Sequence, residues 1–122
     1  MKNNNKVFKD RAIENLNELI WKTKYDSAFI TSRIPMLESQ RDEEQAKADK
    51  IEAELTEKKT GDQKKKAVRE ELKALTLTLG KARQRVGYFN QIIGQKADEV
   101  KELESKLTGL EGKLEFLTAY EN

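Results

Sequence analysis

Residues 68–117 read VREELKALTLTLGKARQRVGYFNQIIGQKADEVKELESKLTGLEGKLEFL. Stepping through them in alternating threes and fours lands on Val68, Leu72, Leu75, Leu79, Ala82, Val86, Phe89, Ile93, Lys96, Val100, Leu103, Leu107, Leu110, Leu114 and Leu117. Fourteen of these fifteen positions are apolar and the register never slips. An apolar residue every 3.5 positions holds one helix seam against another helix while the pair supercoils. Kept up over about seven heptads, the pattern outweighs any local propensity.

A second series precedes it. Ile13, Leu16, Ile20, Thr23, Ser27, Ile30, Ile34, Leu37, Arg41, Glu44, Ala48, Ile51 and Leu55 hold one register, with polar residues at four positions. Pro35 lies inside this series and removes one helical hydrogen bond, so a kink is expected near Thr31–Pro35. The register survives across the proline, which favours a kink over a loop. Met1–Lys6 is polar and asparagine-rich, and residues 1–8 are expected to form a flexible end ahead of a single domain spanning 9–122.

Between the series lies Lys58-Lys59-Thr60-Gly61-Asp62-Gln63-Lys64. Gly61 suits a left-handed helix stop, Asp62 a cap for the next helix, and Lys58 and Lys59 the carboxyl end of the first. A turn near 59–63 between two long helices makes them antiparallel neighbours. The expected fold is all-α: an elongated antiparallel helical hairpin, a two-helix coiled coil. Centred at 61 or 62, the turn pairs Leu55 with Val68, Ile51 with Leu72, Ile30 with Ile93, Ile20 with Leu103 and Ser27 with Lys96. One passage competes: Leu75-Thr76-Leu77-Thr78-Leu79 alternates with period two, and a partner strand in 85–93 would insert a β-hairpin within 75–93. Leu75 and Leu79 remain in the heptad register, which favours helix throughout.

The apolar seam is narrow near the turn and broad at the far end, where Phe8, Leu19, Trp21, Phe29 and Met36 flank it on the first helix and Tyr88, Ile92 and Phe116 on the second. Two helices offer no third layer to cover such residues, and large exposed apolar patches mark partner surfaces. Self-association into a four-helix base, a homodimer, through Trp21, Phe29, Met36, Ile92 and Phe116 is therefore expected. The bland alternative is that the terminal segments fold back over them.

Two basic clusters offer contacts for an anionic partner. Lys58, Lys59, Lys64, Lys65, Lys66 and Arg69 surround the turn with one aspartate among them, and charge alone would let them grip phosphate or an acidic protein. Against that, Glu38–Glu57 carries eight acids to three bases, and no aromatic offers a base-stacking platform near the turn. Lys81, Arg83, Arg85 and Lys96 lie beside Tyr88 and Phe89 with no acid between them, a better nucleic-acid signature. The arginines are expected to be taken up by Glu38, Asp42 and Glu43 across the hairpin. Gly80, Gly87 and Gly94 recur every seven residues and would leave a side-chain-free stripe.

The remaining composition bounds the chemistry. The chain has 122 residues, 38% charged and 36% hydrophobic, with one proline and a net charge of +2. It has no cysteine for a disulfide or thiolate metal site and no histidine to act as general base. Its carboxylate pairs are either on different helix sides or exposed, so neither raised pKa values nor a metal cage is expected. No glycine-rich phosphate loop follows a strand. No enzyme, metal or cofactor is therefore expected, and no apolar run is long enough for a membrane helix. The expectation is an intracellular, cytoplasmic protein or a virion component, of a kind suited to bacteria or bacteriophage. It would act as an assembly factor, structural adaptor or small inhibitor through helix-mediated contacts with a protein partner. A nucleic-acid or nucleoprotein binding module is the alternative.

Overall fold

The computed structural model describes residues 2–61 and 64–120, with side chains from Lys6 onward. Two helices, α1 (Lys2–Lys59) and α2 (Lys66–Ala119), pack against each other as an antiparallel helical hairpin. Every position of both heptad series is buried or half-buried, and few other residues are. Helix α1 passes through Pro35 without interruption, as the continuous register requires. It also reaches back to Lys2, so residues 2–8 are part of the helix; no glycine or proline interrupts them.

Helix α2 includes the whole period-two passage, and there is no strand among the described residues. The threonines that suggested a strand are accommodated by bonding back along the helix. Thr76 Oγ1 donates to the Leu72 carbonyl at 2.7 Å and Thr78 Oγ1 to the Ala74 carbonyl at 2.9 Å. Leu79 is 7% exposed, whereas Leu77 is 63% exposed. A strand would have placed both on one face.

The turn differs from expectation in its chemistry. No described residue has positive φ, so Gly61 does not serve as a left-handed cap. Instead α1 tightens at its end: the Thr60 amide donates to the Glu57 carbonyl and the Gly61 amide to the Lys58 carbonyl, both at 3.2 Å. The expected Asp62 cap lies outside the described residues. Just ahead of α2, the Lys65 carbonyl accepts from the Arg69 amide at 3.2 Å.

The contacts group into two compact units, Ile34–Gly94 and Met1–Arg33 with Gln95–Asn122. In the first, Ala48, Leu55, Leu79 and Ala82 form a buried cluster, with Ile51, Leu72 and Leu75 packed against it. Its cross-helix polar contacts correct the expected register. Lys58 meets Glu71 at 2.6 Å, Glu44 meets Arg85 at 2.8 Å, and Arg41 donates to Asn90 at 3.4 Å. These partners lie about one heptad further along α2 than pairing about residue 61 or 62 allows. That pairing sets Glu44 against Leu79 and Arg41 against Ala82, leaving charged seam residues against apolar ones. In the observed pairing Glu44 and Arg41 each have a polar partner on α2, while Leu79 and Ala82 belong to the apolar cluster.

In the second unit Ile20, Thr23 and Leu110 are buried. Thr23, 3% exposed, satisfies its hydroxyl by donating to the Leu19 carbonyl at 2.7 Å. The same displacement recurs here. Leu16 shares a recess with Gly109, Gly112, Phe116 and Leu117, and Ile30 shares one with Glu99 and Leu103, further along α2 than the Ile93 expected opposite it. Lys96 pairs with Glu99 at 3.5 Å on its own helix, not with Ser27.

Candidate interaction surface

Among the described residues, eight of the eleven large exposed hydrophobics belong to the unit Met1–Arg33 with Gln95–Asn122. Two helices can bury only the sides that face each other, so side chains off the seam stay in solvent unless another molecule covers them. Trp21 is 69% exposed, Phe29 50% and Phe116 69%. Met36, also exposed, and Ile92, half-buried, belong to the other unit.

Along α1 the aromatic side chains form a ladder. Trp21 stacks on Tyr25 with ring centroids 5.7 Å apart, and Tyr25 stacks on Phe29 at 6.5 Å. The Arg33 guanidinium lies 5.1 Å from the centre of the Phe29 ring, a cation–π contact. Spacing of four residues stacks these side chains on one another, and each contact trims the freedom its ring would lose on binding. Tyr25 and Arg33 are absent from the residues singled out by the sequence reading. Their signal was the row Trp21, Tyr25, Phe29, Arg33 at steps of four, hidden by attention to the seam. On α2, Phe116 packs beside Tyr120, with ring centroids 6.3 Å apart.

Grooves line this unit. One of about 450 Å³ is bounded by Asp26, Phe29, Ile30, Glu102, Leu103 and Lys106, together with Glu99. A second of about 540 Å³ is floored by Gly109 and Gly112 beside Leu16, Phe116 and Leu117. A third of about 490 Å³ has Ile20 and Leu114 in its lining beside polar residues, among them Asn17, Lys24, Glu111 and Thr118.

The basic clusters are in part taken up within the chain. Lys58 is held by Glu71, whose hydrogen bond and charge raise the lysine above its ordinary pKa. Lys59, Lys64, Lys65, Lys66 and Arg69 are exposed. Arg83 pairs with Glu52 at 3.2 Å and Arg85 with Glu44, which replaces the expected partners Glu38, Asp42 and Glu43 as the shifted register dictates. The Arg85 hydrogen bond lowers the Glu44 pKa, helped by the charges of Arg85 and Lys47 and opposed by desolvation. Lys81 is exposed. A Cβ added at Gly80, Gly87 or Gly94 would meet nothing within 4 Å, so packing within the chain does not require glycine there.

Among the described residues no cluster of three or more acidic side chains could hold a metal ion, and no helix is long and apolar enough to cross a membrane. The chain matches no protein-family model, no curated protein and no solved structure.

Proposed function

We propose that this chain is a non-enzymatic coiled-coil interaction protein, an assembly factor, structural adaptor or small inhibitor, that self-associates into a four-helix base. The observation that carries the reading is the concentration of exposed aromatic side chains in one unit, headed by Trp21, Phe29 and Phe116. Fully burying a large apolar side chain contributes about 1.5–3 kcal/mol. Several on each of two chains supply a gross driving force that exceeds an association cost of several kcal/mol.

The nucleic-acid reading has less support. Arg83 and Arg85 already have carboxylate partners, and the sequence around the turn has no aromatic residue from 30 to 87. Phe29→Ala combined with Phe116→Ala tests the leading reading. The double variant should shift the chain from dimer to monomer in sedimentation while its helical circular dichroism stays unchanged. An unchanged association constant would remove these aromatics from the contact.

A further inference from the structure

We infer that the unit Ile34–Gly94 stacks side by side with copies of itself, the outward face of α1 in one copy against the outward face of α2 in the next. The contact uses a different unit from the aromatic self-association proposed above and does not depend on it.

The faces follow from heptad position. With Ile13 and Leu72 as first positions of their heptads, the second, third and sixth positions point away from the seam. Between Pro35 and Glu57 those positions of α1 hold four acids, Asp42, Glu43, Asp49 and Glu57, and one base, Lys50. Between Lys73 and Gly94 those of α2 hold two bases, Lys73 and Lys81, and no acid. All of these charged residues are exposed. Arg83 and Arg85 flank the α2 face and are taken up within the chain by Glu52 and Glu44, so Lys73 and Lys81 set the charge it presents. Among the described residues, the large exposed hydrophobics of this unit, Met36, Leu77 and Tyr88, all lie on the two outward faces.

The occupant follows from charge. An acidic face on one side and a basic face on the other make the unit complementary to a second copy placed beside it. Setting α1 against α1 would instead bring Asp42, Glu43, Asp49 and Glu57 onto their own equivalents. The levels along the helices agree. Within the chain Lys58 meets Glu71 and Glu44 meets Arg85, which places Asp49 within about one residue of the level of Lys81, and Glu57 within about one of Lys73. A neighbour set alongside without stagger therefore brings Lys81 to Asp49 and Lys73 to Glu57, with Leu77 against Ala53. The same placement sets Gly80, Gly87 and Gly94 opposite Lys50, Glu43 and Met36. A Cβ at any of these glycines meets nothing within 4 Å in its own chain, which leaves room for the longer side chains. Because the two faces lie on opposite sides of the unit, the contact does not close on itself, and repetition gives rows rather than pairs. Exposed ion pairs are individually weak and screened by salt, so the rows form above micromolar concentration and at low ionic strength.

Sedimentation of the full-length chain tests this. At about 0.5 mM protein the average mass should exceed two chains in about 20 mM salt and fall to two chains or fewer in about 0.5 M. Lys73→Glu with Lys81→Glu should abolish the growth, as should Asp49→Lys with Glu57→Lys, with helical circular dichroism unchanged in both. Mixing the two variants should restore it, because each supplies the face that the other lacks. Ala53→Cys with Leu77→Cys, oxidised in low salt, should give a ladder of linked chains on a non-reducing gel. No growth beyond two chains in low salt, or growth that survives high salt or either charge reversal, overturns the second copy as occupant. A mixture no larger than its components does the same, and linked pairs without longer products overturn the open row. A wild-type chain that is monomeric at micromolar concentration yet grows in this way removes the aromatic self-association and supports this contact.

Discussion

Leu77 and Leu79 stand two residues apart on α2 and have opposite surroundings, which makes their truncation a sharp test of the seam. Leu79 is 7% exposed and belongs to the buried cluster with Ala48, Leu55 and Ala82; Leu77 is 63% exposed. Leucine-to-alanine changes in cores cost about 2–5 kcal/mol from lost transfer energy plus the residual cavity. The cluster is thin and solvent lies on either side of the seam, so the cavity contribution is small. The expected cost of Leu79→Ala is thus about 2–3 kcal/mol, at the low end of that range. Leu77→Ala removes little buried surface and should stay within about 0.5 kcal/mol of wild type. For a chain of this size each kcal/mol corresponds to roughly 4 °C in Tm, so Leu79→Ala should lower it by about 10 °C and Leu77→Ala by about 2 °C or less. Thermal and urea melts followed by circular dichroism, at matched protein concentration because association shifts Tm, provide the readout. Equal losses from the two variants would refute the helical seam here, since equal burial of alternate residues is what a strand gives.

Three further outcomes follow from the same contacts. Ala48→Cys with Ala82→Cys should cross-link within one chain on oxidation and Leu55→Cys with Val68→Cys should not, as read by reducing and non-reducing gels; the opposite pattern would restore the unshifted pairing. Gly80→Ala, Gly87→Ala and Gly94→Ala should each stabilise the helix by up to about 1 kcal/mol, because an added methyl meets only open space; destabilisation in melts would show that packing requires glycine there. Glu44 has a lowered pKa through its hydrogen bond to Arg85, so its contribution is present above the ordinary glutamate range and is lost as pH falls through its lowered value. Melts between pH 7 and pH 2 should show this acid-side loss diminished by Arg85→Gln; an identical profile in the variant would show that the pair does not couple to folding.

The seam was legible in the sequence because an unbroken 3.5-residue period fixes which residues face the neighbouring helix: every position of both series is buried or half-buried. The pairing between helices was not, for a specific reason. Sliding two heptad seams by one heptad sets apolar against apolar almost everywhere, so the apolar pattern is silent about the slip. The polar seam residues point both ways: Ser27 and Lys96 suit the unshifted pairing, whereas Glu44 with Arg85 and Arg41 with Asn90 mark the observed one. The turn misled as well, since glycine suggested a left-handed stop where α1 ends in tightened hydrogen bonds. Among the candidate surface residues, size alone drew attention to Trp21, Phe29 and Phe116. That Tyr25 bridges the first two follows from the four-residue spacing that stacks the three rings.

The central claim is that a second copy of this chain covers exposed aromatics of the unit Met1–Arg33 with Gln95–Asn122, Phe29 and Phe116 among them. Equilibrium sedimentation of the wild-type protein at micromolar concentration tests it most directly. The account predicts a mass of twice the 14.1 kDa chain, falling toward one chain on dilution. A mass of one chain throughout would contradict it.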